Sequence, residues 1–261
     1  MLQHKKQKNK RMKWFIFWIC LVSTMACFSL QTPDITSKTN TVSTENRKYF
    51  NHRLWHDLLQ KHVSNQGKVN YKGFIKDEKK LQDYINQLGK NTPQSEWSRE
   101  EKLAYWINAY NALTIDLIIR NYPIESIKDI KHPWKQKLWT LGGDTYNLHD
   151  IEHKILIKMD EPRIHFAIVC AAVSCPKLQN SAFIASKLKL QLNQAATDFL
   201  NDSTKNSISE NDLELSKIFQ WFTNDFKQNG TLIDFINQYT TVPISAKAKI
   251  QYKSYIWKLN E

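Results

Sequence analysis

The chain has 261 residues, 41% hydrophobic and 12% aromatic, enough to bury one sizeable core. With 6 Gly, 7 Pro and no long repeat, solenoid, collagen-like and mainly low-complexity architectures are excluded. The formal charge of +12 overstates the basicity: six basic residues with no acid fall in the first thirty positions, and the remainder carries +6. No Lys/Arg run in that remainder interleaves with aromatics, so a nucleic-acid partner is not expected.

The N-terminal basic run (Lys5, Lys6, Lys8, Lys10, Arg11, Lys13) precedes WFIFWICLVSTMA, Trp14 to Ala26, which reads as an export signal. The apolar stretch extends to Leu30, so an uncleaved membrane anchor stays open. TMAC, Thr24 to Cys27, resembles the bacterial lipobox, with Thr24 where that motif usually carries Leu. Cys27 is therefore a candidate lipidation site, and a membrane is the expected partner through a lipid or signal anchor. QTPDITSKTNTVSTEN, Gln31 to Asn46, is polar and free of aromatics, as a flexible tether is. The expected organisation is a signal over 1–27, a tether over 28–46 and one globular domain over 47–261, exported and facing the periplasm or exterior.

Within that domain, Arg47 to Val63 has helical spacing, with Phe50, Leu54, Trp55, Leu58 and Leu59 on one side. Phe74 to Gly89 reads as a second amphipathic helix. Ser98 to Pro123 is the strongest helix: Ser98 and Glu101 form a capping box, Pro123 stops it, and apolar residues surround its axis as in a buried helix. Lys137 to Leu148 predicts a hairpin turning at Gly142, Gly143 and Asp144. His149 to Met159 predicts a short helix, Arg163 to Cys170 a buried strand, and Ser181 to Asn201 a long amphipathic helix. A hairpin over Ser207 to Leu215, two short helices and a tail strand around Ile250 to Trp257 complete the chain. Without regular βαβ alternation the fold class is α+β: several helices packed on a small, mostly antiparallel sheet.

Three segments, LAYWINAYNALTIDLIIRNYP, GGDTYNLHDIEHKIL and PRIHFAIVCAAVSCPKLQN, resemble the family known as domain of unknown function 547, found in bacteria, often exported, and in plants. SKIFQWFTNDF and the tail YKSYIWKLN extend the resemblance over roughly 103–260. It implies no established reaction. It does imply that Asn108, Asn111, Glu152, His153, His165, Cys170, Ser174, Cys175 and Pro176 travel together.

The chemistry these residues suggest is unevenly specified. Asn108 and Asn111 share one helix face, where each amide either pins a loop or orients a catalytic group. HDIEH, His149 to His153, fits the inverted zinc-protease pattern with Glu152 as base, but a third protein ligand is missing and the resembling family typically carries Asp at His149. No metal or cofactor is expected, since dinucleotide and P-loop fingerprints are also absent.

Cys170 and Cys175 carry the remaining options. A thiolate nucleophile needs a His base and an orienting group. All eight histidines precede Cys170, which excludes the papain-like order and leaves a His-before-Cys site: Cys175 as nucleophile, His153 or His165 as base, Glu152, Asn108 or Asn111 orienting. Such a site suits hydrolysis of, or acyl transfer to, a peptide or amide. Export makes a Cys170–Cys175 disulfide the competing expectation, with the same pocket binding a peptide, glycan or protein without catalysis. A metal clip with His165 and reduced packing thiols remain as lesser alternatives.

Overall fold

A computed structural model describes residues 50–261; the export signal, the tether and Cys27 lie outside the described residues. Helix α1 (Arg53–His62) buries Trp55, Leu58, Leu59 and His62. The helix expected over Phe74 to Gly89 is two, α2 (Tyr71–Lys76) and α3 (Glu78–Lys90). The break falls at Asp77, whose carboxylate is drawn to Lys61 and, at 2.7 Å, to His62 Nε2 at the end of α1. A tertiary ion pair thus interrupts a run whose periodicity alone is continuous.

Helix α4 (Arg99–Asn121) is the spine of the fold. Ser98 Oγ accepts from Glu101 N at 3.2 Å, and the Glu101 carboxylate accepts from Ser98 N at 2.6 Å, closing the expected capping box. Every side chain from Leu103 to Ile119 is buried. Asp116 is buried among them and accepts from Arg120 Nε (2.7 Å), Trp139 Nε1 (2.6 Å) and Gln82. That one carboxylate ties α3 and α4 to the hairpin of β1 (Trp139–Leu141) and β2 (Asp144–Tyr146). Gly142 and Gly143, both at positive φ, form the two-residue turn between them.

The chain then winds through a π-helical segment, Asp150–Leu156, in place of an ordinary helix. The stretch expected as a buried strand is not one. Pro162–Phe166 is a 3-10 turn whose Arg163 N–H donates to the Glu161 carboxylate, and the residues beyond it are irregular. Its apolar run is nevertheless buried, because it separates two cores. Ile164, Ala167, Ile168 and Val169 join the larger cluster around α4, whereas Phe166 joins a second cluster. There it meets the rings of Phe199, Phe219, Phe226 and Phe235.

The helix expected from Ser181 begins only at Leu188; α5 spans Leu188–Leu200. Strands β3 (Ser207–Ile208) and β4 (Asp212–Leu215) form the expected hairpin, and β5 (Lys249–Tyr252) pairs with β4 in parallel. Three short helices, α6 (Ile218–Trp221), α7 (Thr223–Phe226) and α8 (Leu232–Asn237), stand where two were expected. The architecture is α+β with a small, mostly antiparallel sheet component. Among the described residues no helix is long and apolar enough to cross a membrane.

Candidate functional site

Cys170 and Cys175 are joined as a disulfide with Cα atoms 6.2 Å apart. The chain turns back between them, with Ala171 at φ 57° and Cys175 N bonded to Ala172 O at 3.0 Å. The C-terminal tail latches this loop from outside. Val173 N donates to Lys258 O (2.7 Å), Ser174 N to Ile256 O (3.2 Å), Ile256 N to Ser174 Oγ (2.8 Å) and Asn260 N to Ala171 O (3.3 Å). The same tail carries Tyr255, whose hydroxyl lies 3.2 Å from Cys170 Sγ and donates to Cys175 Sγ at 3.3 Å. Cys170 N donates to Cys175 Sγ at 2.9 Å. With its sulfur in the bridge, Cys175 has no thiolate to serve as the nucleophile that the sequence suggests; in this state the thiol route to acyl transfer is closed.

The bridge forms part of the wall of a pocket of about 620 Å³. Trp134, Trp221, Phe222 and Trp257 line it, and the exposed Lys128, Lys131, His132 and Lys135 stand around it. Glu152 and His153 reach it from the π-helical segment, and His165 from the 3-10 turn. The Tyr110 hydroxyl, from α4, donates to Glu152 Oε2 at 3.1 Å. Burial pushes the Glu152 carboxyl up to about 7, the nearby Asp225 charge adding to the shift and the Tyr110 bond opposing it. Burial lowers the basicity of His153 and His165 below that of a free imidazole. His165 is itself buried, bonded through Nε2 to Asp225 Oδ2 at 2.7 Å and stacked on Phe222 with ring centroids 3.9 Å apart. The site therefore holds a carboxyl that is about half protonated near neutrality beside imidazoles that are mostly neutral there.

Asn108 and Asn111 do not reach this pocket. Asn108 Nδ2 donates to Phe183 O (2.7 Å) and Ala104 O (2.8 Å), and its Oδ1 accepts from Phe183 N at 3.0 Å. Asn111 Nδ2 donates to Ala167 O (2.9 Å), and its Oδ1 accepts from Val169 N at 3.0 Å. Each amide pairs with backbone as a neighbouring strand would, which is why the segments at 167–169 and 183 are stable without a sheet partner. Neither amide is left to orient an imidazole. The rings of His149 and His153 lie against each other, tilted by 36°, with centroids 4.3 Å apart. Among the described residues no group of three or more His, Cys, Asp or Glu is arranged to hold a metal ion.

The family described as "Protein of unknown function, DUF547" matches residues 94–200. No curated protein and no solved structure matches the chain.

The DUF547 segment supplies α4, the π-helical turn, the His165 turn and the bridge, while Trp221, Phe222, Asp225, Tyr255 and Trp257 complete the site from beyond the match. Tyr110, Asp225 and Tyr255 are the functional candidates that sequence reasoning misses. All three lie in segments that carry the resemblance, but a tyrosine in an apolar run carries no sequence signal that separates a pocket hydroxyl from core packing. Trp106 and Trp139 are core residues, at 7% and 3% exposure; Trp134 is half-buried and lines the pocket.

Proposed function

We propose that the protein is a binding module whose pocket takes a peptide segment bearing a negative charge. The observation that carries this reading is the pairing of tryptophan walls with four exposed basic side chains around one cavity. Aromatic faces bind peptide side chains and backbone at low conformational cost, and the cationic surround selects for acidic groups. A protonated Glu152 adds a hydrogen-bond donor for a ligand oxygen. The alternative of thiol-dependent acyl transfer requires the Cys170–Cys175 bridge to be open, and the bridged state favours binding.

Titrating the protein's tryptophan fluorescence with acidic, neutral and basic peptides of equal length tests the reading. Acidic peptides should bind at least tenfold more tightly at low salt, and replacing Lys131 and Lys135 with Glu should erase that preference. Equal affinity for all three peptides would defeat it. The N-terminal segment is proposed to export this module and hold it at a membrane, through Cys27 lipidation or an uncleaved anchor. Fatty-acid labelling that Cys27→Ala abolishes would support the lipid, and recovery of the untagged chain in the cytoplasm would rule out export.

A further inference from the structure

We propose that the Cys170–Cys175 bridge is a working disulfide that oxidises cysteine pairs in the peptides the pocket binds. This deepens the binding reading and rests on it. Three features distinguish the bridge from a structural staple. It lines the pocket, so a bound ligand can reach it. Its two sulfurs are unequal: Cys170 is half-buried, whereas Cys175 is 4% exposed. The buried sulfur alone accepts a backbone N–H, from Cys170 at 2.9 Å, while the Tyr255 hydroxyl lies against both. Donors aimed at a sulfur stabilise its thiolate, and a stabilised thiolate is the better leaving group.

These inequalities give the exchange a direction. A substrate thiol loses its proton to the neutral imidazole of His153, which is exposed in the pocket. The resulting thiolate attacks Cys170 Sγ. A sulfur–sulfur bond forms between substrate and Cys170, the Cys170–Cys175 bond breaks, and its electron pair leaves on Cys175. Tyr255 O–H and Cys170 N–H hold that charge. A second thiolate of the substrate then attacks its own mixed-disulfide sulfur and expels Cys170. The substrate departs as a disulfide, oxidised by two electrons, and its two protons end on Cys170 and Cys175. A low-molecular-weight disulfide, taking the same two electrons, restores the bridge.

The test uses the full chain purified in detergent. It is equilibrated with mixtures of reduced and oxidised glutathione, quenched with iodoacetamide and mapped by mass spectrometry. The bridge should open in the folded protein within minutes of adding millimolar reduced glutathione. Cys175 should then alkylate with a midpoint below the ordinary thiol value of about 8.5. Tyr255→Phe should raise that midpoint and slow opening about tenfold. Cys175→Ser should trap an acidic peptide supplied as its glutathione disulfide, the Cys170 thiolate attacking the peptide sulfur and expelling glutathione as a thiol, because no neighbouring thiol remains at position 175 to release it. A bridge that stays closed until the protein is denatured, or a Cys175 midpoint at or above about 8.5 that Tyr255→Phe leaves unmoved, would overturn the proposal. Peptide binding measured on the Cys170→Ser, Cys175→Ser double variant separates the two readings. Binding without exchange in the parent protein sinks only the redox step. Loss of all peptide binding, with glutathione exchange intact, sinks the pocket reading and with it the peptide substrate.

Discussion

Tyr110 donates its hydroxyl proton to Glu152 at 3.1 Å, joining the buried spine helix to the π-helical segment at the pocket. The bond favours the ionised carboxylate, yet burial outweighs it and Glu152 titrates at about 7. Several measurable consequences rest on that balance and on the backbone clamps beside it.

Glu152 should make stability fall with rising pH. Its folded pKa of about 7 lies above its unfolded value of 4.5, so the native state holds the extra proton between them. The stabilisation is full below about pH 4.5 and is lost as pH rises through about 7, a change on the order of 3 kcal/mol. Glu152→Gln should remove that slope and be the more stable protein above neutrality. Urea unfolding of both proteins at several pH values reads the difference.

Binding of an acidic peptide should weaken over the same range. An anion in the pocket favours protonated Glu152, so affinity should drop as the carboxyl ionises, approaching about tenfold per pH unit well above 7. His153 and His165, their basicity lowered, are already neutral there and should not contribute. A flat profile for Glu152→Gln in the same fluorescence titration would assign the dependence to this residue.

Asn111→Ala should destabilise the fold by about 2–4 kcal/mol, since Ala167 O and Val169 N both lose a buried partner. Asn108→Ala should behave likewise through Phe183. Thermal unfolding should show drops of roughly 5–15 °C, with Asn111→Asp no better than Ala because it cannot donate to Ala167 O. A loss of peptide binding at unchanged stability would point instead to a role in the pocket.

Deleting residues 256–261 should loosen the cysteine loop without unfolding α4. Val173 N and Ser174 N lose the carbonyls of Lys258 and Ile256, and Ala171 O loses Asn260 N. Hydrogen exchange should rise at 171–174 and stay slow along 103–119.

The elements whose causes are local were legible in the sequence. The Ser98–Glu101 capping box, the all-round apolar α4 and the Gly142–Gly143 turn each lie within a few residues of what they control, and each appears as expected. It also gathered Glu152, His153, His165, Cys170 and Cys175 as candidates, and these do line one pocket. Tertiary structure decided the rest, because the deciding partners lie far along the chain. The apolar run 163–170 avoids becoming a strand because Asn111, more than fifty positions earlier, takes the backbone groups that a strand neighbour would take. The Phe74–Gly89 run breaks because Asp77 answers to Lys61 and His62. The bridge gains its hydrogen-bonding hydroxyl from Tyr255, 85 residues beyond Cys170. Periodicity and capping report what a segment prefers; buried polar groups bind whichever partner folding brings within reach, and that choice is made in three dimensions.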